Sequence, residues 1–142
     1  MRLLNRSGRL TNTNGIRLPR NFDEAVKRFA NQDVSRNFLA ARRWPKGIAC
    51  PVCGSTSVYE DPSRQGWECK TRHPKRRFTL KTGTIFEDSA LPIGKWLAAI
   101  WLVGNNKPMP IDELARRIGV TQKTAWLMLR RIRLAMRNDQ GS

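Results

Sequence analysis

The segment CPVCGSTSVYEDPSRQGWECKTRH, residues 50–73, holds all three cysteines and the single histidine of the chain. The spacing is C-x2-C-x15-C-x3-H, formed by Cys50, Cys53, Cys69 and His73. Two cysteines separated by two residues lie on one tight knuckle, and the intervening hairpin returns the chain to supply the second pair. Because Zn²⁺ accepts four sulfur or nitrogen ligands tetrahedrally, the spacing predicts a zinc ribbon.

The predicted Zn²⁺ is structural and not catalytic, because four protein ligands leave no open coordination position. The alternative is three reduced surface thiols and an unrelated histidine. All four residues fall in one 24-residue window, which argues against that alternative. His73 is the expected fourth ligand, with water or Glu68 as the alternative.

The charge balance predicts a polyanionic partner. The 142-residue chain has 27 Lys+Arg against 11 Asp+Glu, for a formal net charge of +16. Such a charge favours nucleic acid first and an anionic membrane surface second. The longest apolar stretch, WLAAIWLV (96–103), is too short to span a bilayer, and the N-terminus has no secretory apolar run. We therefore expect a cytoplasmic, nucleoid-associated protein with neither a membrane partner nor a small-molecule substrate.

The predicted fold class is α+β, a small zinc-ribbon β module flanked by N-terminal helices and a C-terminal helical domain. The pattern divides the chain into a basic flexible arm (1–20), N-terminal helices (21–45), the zinc ribbon (46–88) and the helical domain (89–142). The arm carries five arginines and no acid, which suits either a solvated tail or a DNA-contacting arm.

Inside the ribbon, Val58-Tyr59 and residues 67–69 are strand candidates on either side of a turn-rich segment. The stretch RRFTLKTGTIFE (76–87) alternates and is rich in Phe, Thr and Ile, which predicts a longer strand interrupted at Gly83. Trp67 and Phe78 are expected to fill the small core of the ribbon rather than to stack on bases.

A helix-turn-helix is predicted over 111–137, from the stretch IDELARRIGVTQKTAWLMLRRIRLAM (111–136). A small Ala115 stands four residues before Gly119, which can take the tight turn, and Thr121 is a good N-cap for the second helix. That helix would present its N-terminal face to the major groove of DNA. The alternative is a plain helical hairpin whose arginines are a solvated face.

Two sets of side chains are candidates for DNA contact. Gln can read adenine and Lys can contact guanine in the major groove, whereas arginines and a basic strip beside the zinc meet phosphates. Trp126 is expected either near the groove or packed against the helix around 96–101. The predicted DNA-binding residues are Thr121, Gln122, Lys123, Trp126, Arg130, Arg131 and Arg133 on the second helix, and Lys70, Arg72, Lys75, Arg76 and Arg77 in the strip.

Four blocks of this sequence resemble the N-terminal region of zinc-ribbon insertion-sequence transposases. They are RWPKGIACPVCGS, GWEC, FTLKTGTIFEDSALPIGKWLAAIWL and LARRIGVTQKTAWLMLRRIRLAM, within residues 22–137. The resemblance implies a zinc ribbon followed by a helix-turn-helix that recognises transposon-end DNA, with an acidic-triad nuclease domain after it. The family usually completes its ribbon with a second CxxC, whereas here Arg72 occupies that place and His73 follows it.

The expected function is DNA binding without catalysis, at transposon-end or operator DNA. Two-metal phosphoryl chemistry needs converging carboxylates, and the eleven acids of this chain are scattered. Double-stranded DNA is the expected partner, with a transposase catalytic subunit or a second copy of the chain as further candidates. The alternatives are the recognition half of a DDE-type transposase whose nuclease lies elsewhere, and an RNA-binding or protein-bridging adaptor.

Overall fold

The computed structural model describes residues 18–106 and 108–141, without the side chains of 138–141. The predicted basic arm lies outside these residues, apart from 18–20. The elements in chain order are α1 (Phe22–Ala30), α2 (Gln32–Arg43), β1 (Val58–Asp61), β2 (Gly66–Cys69), β3 (Arg77–Phe78), α3 (Ile93–Asn105), α4 (Ile111–Ile118) and α5 (Gln122–Gly141). The α+β class is confirmed.

Asparagine side chains start the first two helices. The Asn21 side chain accepts a hydrogen bond from the Glu24 backbone N–H at the start of α1, and Asn31 does the same for Val34 at the start of α2. Each cap satisfies a donor that the first helical turn leaves unpaired. Acidic side chains in both first turns add a favourable interaction with the helix dipole.

The core of the protein lies around α3, which is buried on nearly every side, as its apolar sequence predicts. Helices α1, α2, α4 and α5 all contact it. Phe29 and Phe38 meet edge to face at 5.4 Å, and Phe86 meets Trp96 in the same way. Among the described residues, no helix combines the length and apolarity needed to cross a membrane.

The three strands form one antiparallel sheet in the order β1-β2-β3. Val58 lies opposite Cys69, and Trp67 lies opposite Phe78. Trp44 from the end of α2 packs against both of these rings, with centroid distances of 5.4 Å to Trp67 and 6.0 Å to Phe78. The two aromatics therefore fill the small core of the ribbon, as expected.

The longer strand predicted over 76–87 is wrong. Only Arg77–Phe78 pairs as β3, and residues 79–91 form a series of turns, here called the 79–91 loop. Leu80 and Phe86 leave the alternating pattern because both are buried in the core around α3. Without a neighbouring strand, the carbonyl groups of the loop need other hydrogen-bond donors.

Three basic side chains supply those donors. Arg43 donates to the carbonyls of Thr79, Leu80 and Thr82, and the first two bonds are 3.1 and 2.9 Å long. The Lys81 ammonium group donates to the carbonyls of Ser89 and Leu91, at 2.9 and 3.1 Å. Arg131 donates to the carbonyls of Ile85 and Glu87, both at 3.2 Å. The loop is thus held by cations from α2, from α5 and from itself.

We expect Gly94→Ala to destabilise the protein by about 3 kcal/mol or more. A Cβ at this position would lie 1.9 Å from the Phe29 carbonyl oxygen, which is backbone and cannot swing away. Gly119→Ala is the matched control, because a Cβ there meets nothing within 4 Å and its cost comes only from the φ of +79°. Urea unfolding measures the free energy of unfolding of both variants. If Gly94→Ala loses no more stability than Gly119→Ala, the close approach of α3 to the backbone of α1 is contradicted.

Candidate metal centre and nucleic-acid surface

The first two cysteines lie on a tight knuckle. The Cys50 backbone N–H donates to the Ser55 carbonyl at 2.9 Å, and the Gly54 N–H donates to the Cys50 carbonyl at 2.8 Å. Gly54 has a φ of +75°, a left-handed conformation that glycine adopts without steric cost. The third cysteine ends β2, where the Cys69 N–H donates to the Arg76 carbonyl at 2.9 Å. Local backbone hydrogen bonds therefore fix all three thiols.

The four predicted ligands come together in one cluster. One ligand atom from each of Cys50, Cys53, Cys69 and His73 lies within 4.8 Å of all the others. The two sulfurs of Cys53 and Cys69 are 3.6 Å apart, and the Cys50 sulfur is 3.5 Å from His73 Nε2. With Zn–S about 2.3 Å and Zn–N about 2.0 Å, the S···S and S···N edges of a tetrahedral site are about 3.8 and about 3.5 Å long. The donor set and its spacing fit Zn²⁺.

The hydrogen bond of the other ring nitrogen orients His73. Nδ1 lies 2.6 Å from the Pro74 carbonyl oxygen, which can only accept, so Nδ1 carries the proton and Nε2 keeps its lone pair for a metal. This bond also raises the pKa of His73. Burial alone would raise the pKa of the Cys69 thiol, but its interaction with the His73 side chain and the hydrogen bond from the Thr71 backbone outweigh burial and lower that pKa to about 6. A lowered pKa favours the thiolate, the form that binds metal.

Glu68, the alternative fourth ligand, is engaged elsewhere. Its carboxylate accepts a hydrogen bond from the Tyr59 hydroxyl and lies 3.7 Å from Arg76 and 3.8 Å from Arg77. It is not a member of the metal cluster among the residues that the structure describes.

The five predicted DNA-binding residues of the basic strip differ in solvent exposure and in their hydrogen bonds. Arg76 is half-buried and donates from Nε to the Cys69 carbonyl at 2.9 Å, so it braces the ribbon. Arg77 is exposed beside Glu68. Lys70, Arg72 and Lys75 are exposed. The sequence places Lys81 in the same strip, but its ammonium group is turned inward to the 79–91 loop, so the strip ends at residue 77.

Helices α4 and α5 and the turn between them lie where the helix-turn-helix is predicted. Gly119 has a φ of +79°, and the Ala115 carbonyl accepts from the N–H groups of both Gly119 and Val120. The Thr121 hydroxyl accepts from the Thr124 N–H at 3.2 Å and so caps α5. The buried stripe of α5 faces α3 and α4, and it consists of Ala125, Met128, Leu129 and Ile132.

The opposite face of α5 is exposed and basic. Thr121, Gln122 and Lys123 are exposed at its start. Trp126 is 48% exposed, and the Arg130 guanidinium lies 5.5 Å from its ring centroid, so Trp126 points outward rather than packing against the helix around 96–101. Arg133 is exposed on the same face. A groove of about 410 Å³ runs along it, lined among others by Trp126, Arg130, Arg133 and Arg137.

Arg131 is separated from the other predicted DNA-binding residues. It is half-buried, and its guanidinium group is bound to the carbonyls of Ile85 and Glu87. Helical periodicity alone could not distinguish it from Arg130, because its partners lie more than forty residues earlier in the chain.

Comparison with known proteins gives two matches in sequence and none in solved structures. Residues 30–71 match the family model described as a transposase zinc-ribbon domain; the match includes the three cysteines and ends before His73. A Halobacterium salinarum protein, described as an uncharacterized protein in transposable element ISH50, is 32% identical over 114 residues, which cover 78% of this chain and 38% of that protein. No solved structure matches the chain.

The two matches agree with the geometry of the cluster. The cysteines of the matched domain are those that converge with His73, so the prediction of a zinc ribbon with a structural Zn²⁺ is confirmed. The chain spans 38% of the length of its halobacterial relative. The resemblance to insertion-sequence transposases is also confirmed, and residues 30–71 of this chain are a transposase zinc-ribbon domain.

Proposed function

We propose that this part of the chain binds duplex DNA at the ends of an insertion element, or at an operator, with α5 as the recognition helix. The observation that carries the proposal is the exposed row at the start of α5, where Gln122, Lys123 and Trp126 stand opposite the buried stripe. A helix-turn-helix places those positions against base edges. The formal net charge of +16 supplies the attraction to phosphates.

The zinc ribbon makes the second contact in this proposal. Its metal cluster fixes a short hairpin, and the exposed cations Lys70, Arg72 and Lys75 follow the last cysteine directly. These side chains would neutralise phosphates without reading sequence. The division into N-terminal helices (21–45), ribbon (46–88) and helical domain (89–142) is part of the same proposal, as is location at the nucleoid.

We assign recognition rather than catalysis to the described residues. Among the side chains of 18–106 and 108–137, the Cys50, Cys53, Cys69 and His73 cluster is the only group of three or more His, Cys, Asp or Glu close enough to hold a metal. The paired acids at 23–24 and 112–113 lie in the first turns of α1 and α4, where they interact with the helix dipoles. Nothing in this arrangement resembles converging carboxylates.

A second candidate function is the recognition half of a longer transposase. The matched region covers 38% of the halobacterial relative, so that protein has a large further segment. A catalytic subunit in the same or another chain would then be the partner, and the role of α5 would be unchanged.

We expect Lys123→Ala to relax sequence preference, with a cost of about 1–3 kcal/mol on the preferred duplex, because it would remove a base contact. Arg72→Ala should weaken all duplexes about equally and flatten the salt dependence, because it would remove a phosphate contact of an exposed side chain. Fluorescence anisotropy on the duplex returned by a binding selection, and on a scrambled one, measures both. Lys27→Ala, on the exposed side of α1, is the control.

Two outcomes would contradict this division of roles. If Lys123→Ala and Arg72→Ala behave alike on both duplexes, α5 does not read bases. If duplex RNA binds as tightly as duplex DNA, the adaptor or RNA-binding alternative is favoured, because A-form RNA closes its major groove to a helix.

A further inference from the structure

A second basic feature lies away from α5 and from the metal cluster. A cavity of about 190 Å³ opens between α2, the start of α3 and the 79–91 loop. Its polar lining includes the side chains of Gln32, Arg36, Gln65 and Lys81, and it contains two cations and no carboxylate. A cavity with this lining suits an anion.

In the described part of the chain, neither cation of the cavity has a carboxylate partner. Lys81 Nζ donates to the carbonyls of Ser89 and Leu91, which leaves one of its three donors. Arg36 reaches only the side-chain oxygen of Gln65, at 3.5 Å, and the other donors of its guanidinium group have no partner among the described residues. Burial, and then the neighbouring charge of Arg36, lower the pKa of Lys81. A bound anion would relieve this repulsion.

The backbone at the start of α3 adds further donors to the same cavity. Pro92 caps the helix without a side-chain hydrogen bond, so the N–H groups of Ile93 and Gly94 have no capping side chain in the described part of the chain. Both residues line the cavity. The helix dipole favours negative charge at this end of α3.

The position of the cavity connects the two DNA-contacting elements. Gln65 lies at the tip of the β1–β2 hairpin of the ribbon, in a left-handed conformation with a φ of +50°. Lys95, the residue after Gly94, donates to the Gly119 carbonyl at 3.4 Å, in the turn of the helix-turn-helix. The cavity therefore lies between the hairpin tip and that turn.

We infer that this cavity is a phosphate-binding site and that it holds one backbone phosphate of the bound duplex. Guanidinium, ammonium and backbone N–H groups are the donors that phosphate oxygens take in proteins. The choice of a DNA phosphate rests on the proposed function, whereas the choice of phosphate as the chemical class rests on the cavity alone. The two parts can be tested separately.

Inorganic phosphate tests the cavity without DNA. In the zinc-loaded chain we expect a saturable shift of the Gly94 amide in ¹H–¹⁵N spectra on titration with phosphate, against sodium chloride of matched ionic strength. Arg36→Gln and Gln65→Glu should each abolish the saturation, since the second variant places a carboxylate beside Arg36. Lys27→Gln is the control. If phosphate and chloride shift the Gly94 amide equally, the site is overturned. It is also overturned if Arg36→Gln and Gln65→Glu both keep the saturable shift.

The affinity for duplex DNA tests the source of the phosphate. Arg36→Gln should weaken duplex binding about fivefold and lower the magnitude of the salt slope by about 0.9, the value for one phosphate contact. Lys27→Gln should leave the slope nearly unchanged. Saturable phosphate binding with an unchanged DNA slope would overturn the DNA assignment and identify free phosphate as the ligand. If the wild-type chain binds no duplex at all, the proposed function fails, while the phosphate titration still decides the site.

Discussion

Removal of Zn²⁺ by a chelator is expected to unfold residues 48–80. The cluster that the ribbon buries is small, consisting of Cys50, Cys69 and Phe78 with a few half-buried neighbours. A module of this size cannot offset its conformational entropy with so little apolar surface. In comparable small modules, binding of structural Zn²⁺ contributes roughly 10–16 kcal/mol of apparent folding free energy. This is more than the apolar contacts of the hairpin can contribute.

Circular dichroism and limited proteolysis before and after chelation measure the effect. We expect the strand signal to be lost and cleavage to appear between residues 48 and 80. The helices around α3 should persist, because Leu80 is the only buried member of their core cluster in that segment, although Trp44 and Trp67 pack against both clusters. Cys50→Ser should reproduce the chelated state. Thr56→Ala changes an exposed residue of the same segment and should behave as wild type. An unchanged spectrum and cleavage pattern on chelation would refute the zinc-dependent fold.

Replacement of three arginines on α5 is expected to weaken duplex binding on the order of a hundredfold at moderate salt. The triple variant is Arg130→Gln, Arg133→Gln and Arg137→Gln, which empties the groove beside Trp126 of positive charge. Each lost phosphate contact should also lower the magnitude of the salt slope by about 0.9. Anisotropy titrations at several salt concentrations give both quantities.

The matched control removes three positive charges elsewhere. Lys27→Gln, Lys46→Gln and Arg64→Gln change exposed residues of α1 and the ribbon, so the net charge falls by the same amount. This control should lose much less affinity, because it changes the general field and not the α5 contacts. Equal losses in the two triple variants would show that binding depends on overall charge and not on this face.

The sequence predicts best those features that depend on residues close together in the chain. The ligand spacing of the knuckle follows from local geometry, and the structure brings His73 to the same centre. The turn at Gly119 and the cap at Thr121 likewise need only their neighbours. The apolar stripe of α5 follows from helical periodicity, and the structure buries it.

The 79–91 loop shows why other features could not be predicted. Its alternating pattern resembles a strand, yet its carbonyls accept from Arg43 and Arg131, which lie on helices distant in sequence. The same long-range contacts hold Arg131 against the loop, a placement that helical periodicity does not predict. The cavity at Arg36 and Lys81 could not be predicted from the sequence either, because those residues meet only when α2 packs beside the loop.

The most direct test of the account is a map of the amide signals that change when the zinc-loaded chain binds its selected duplex. We expect the largest changes in ¹H–¹⁵N spectra over residues 121–127, at the start of α5, with smaller changes over 70–77 in the basic strip. Changes confined to the ribbon, with the start of α5 unaffected, would contradict α5 as the recognition helix.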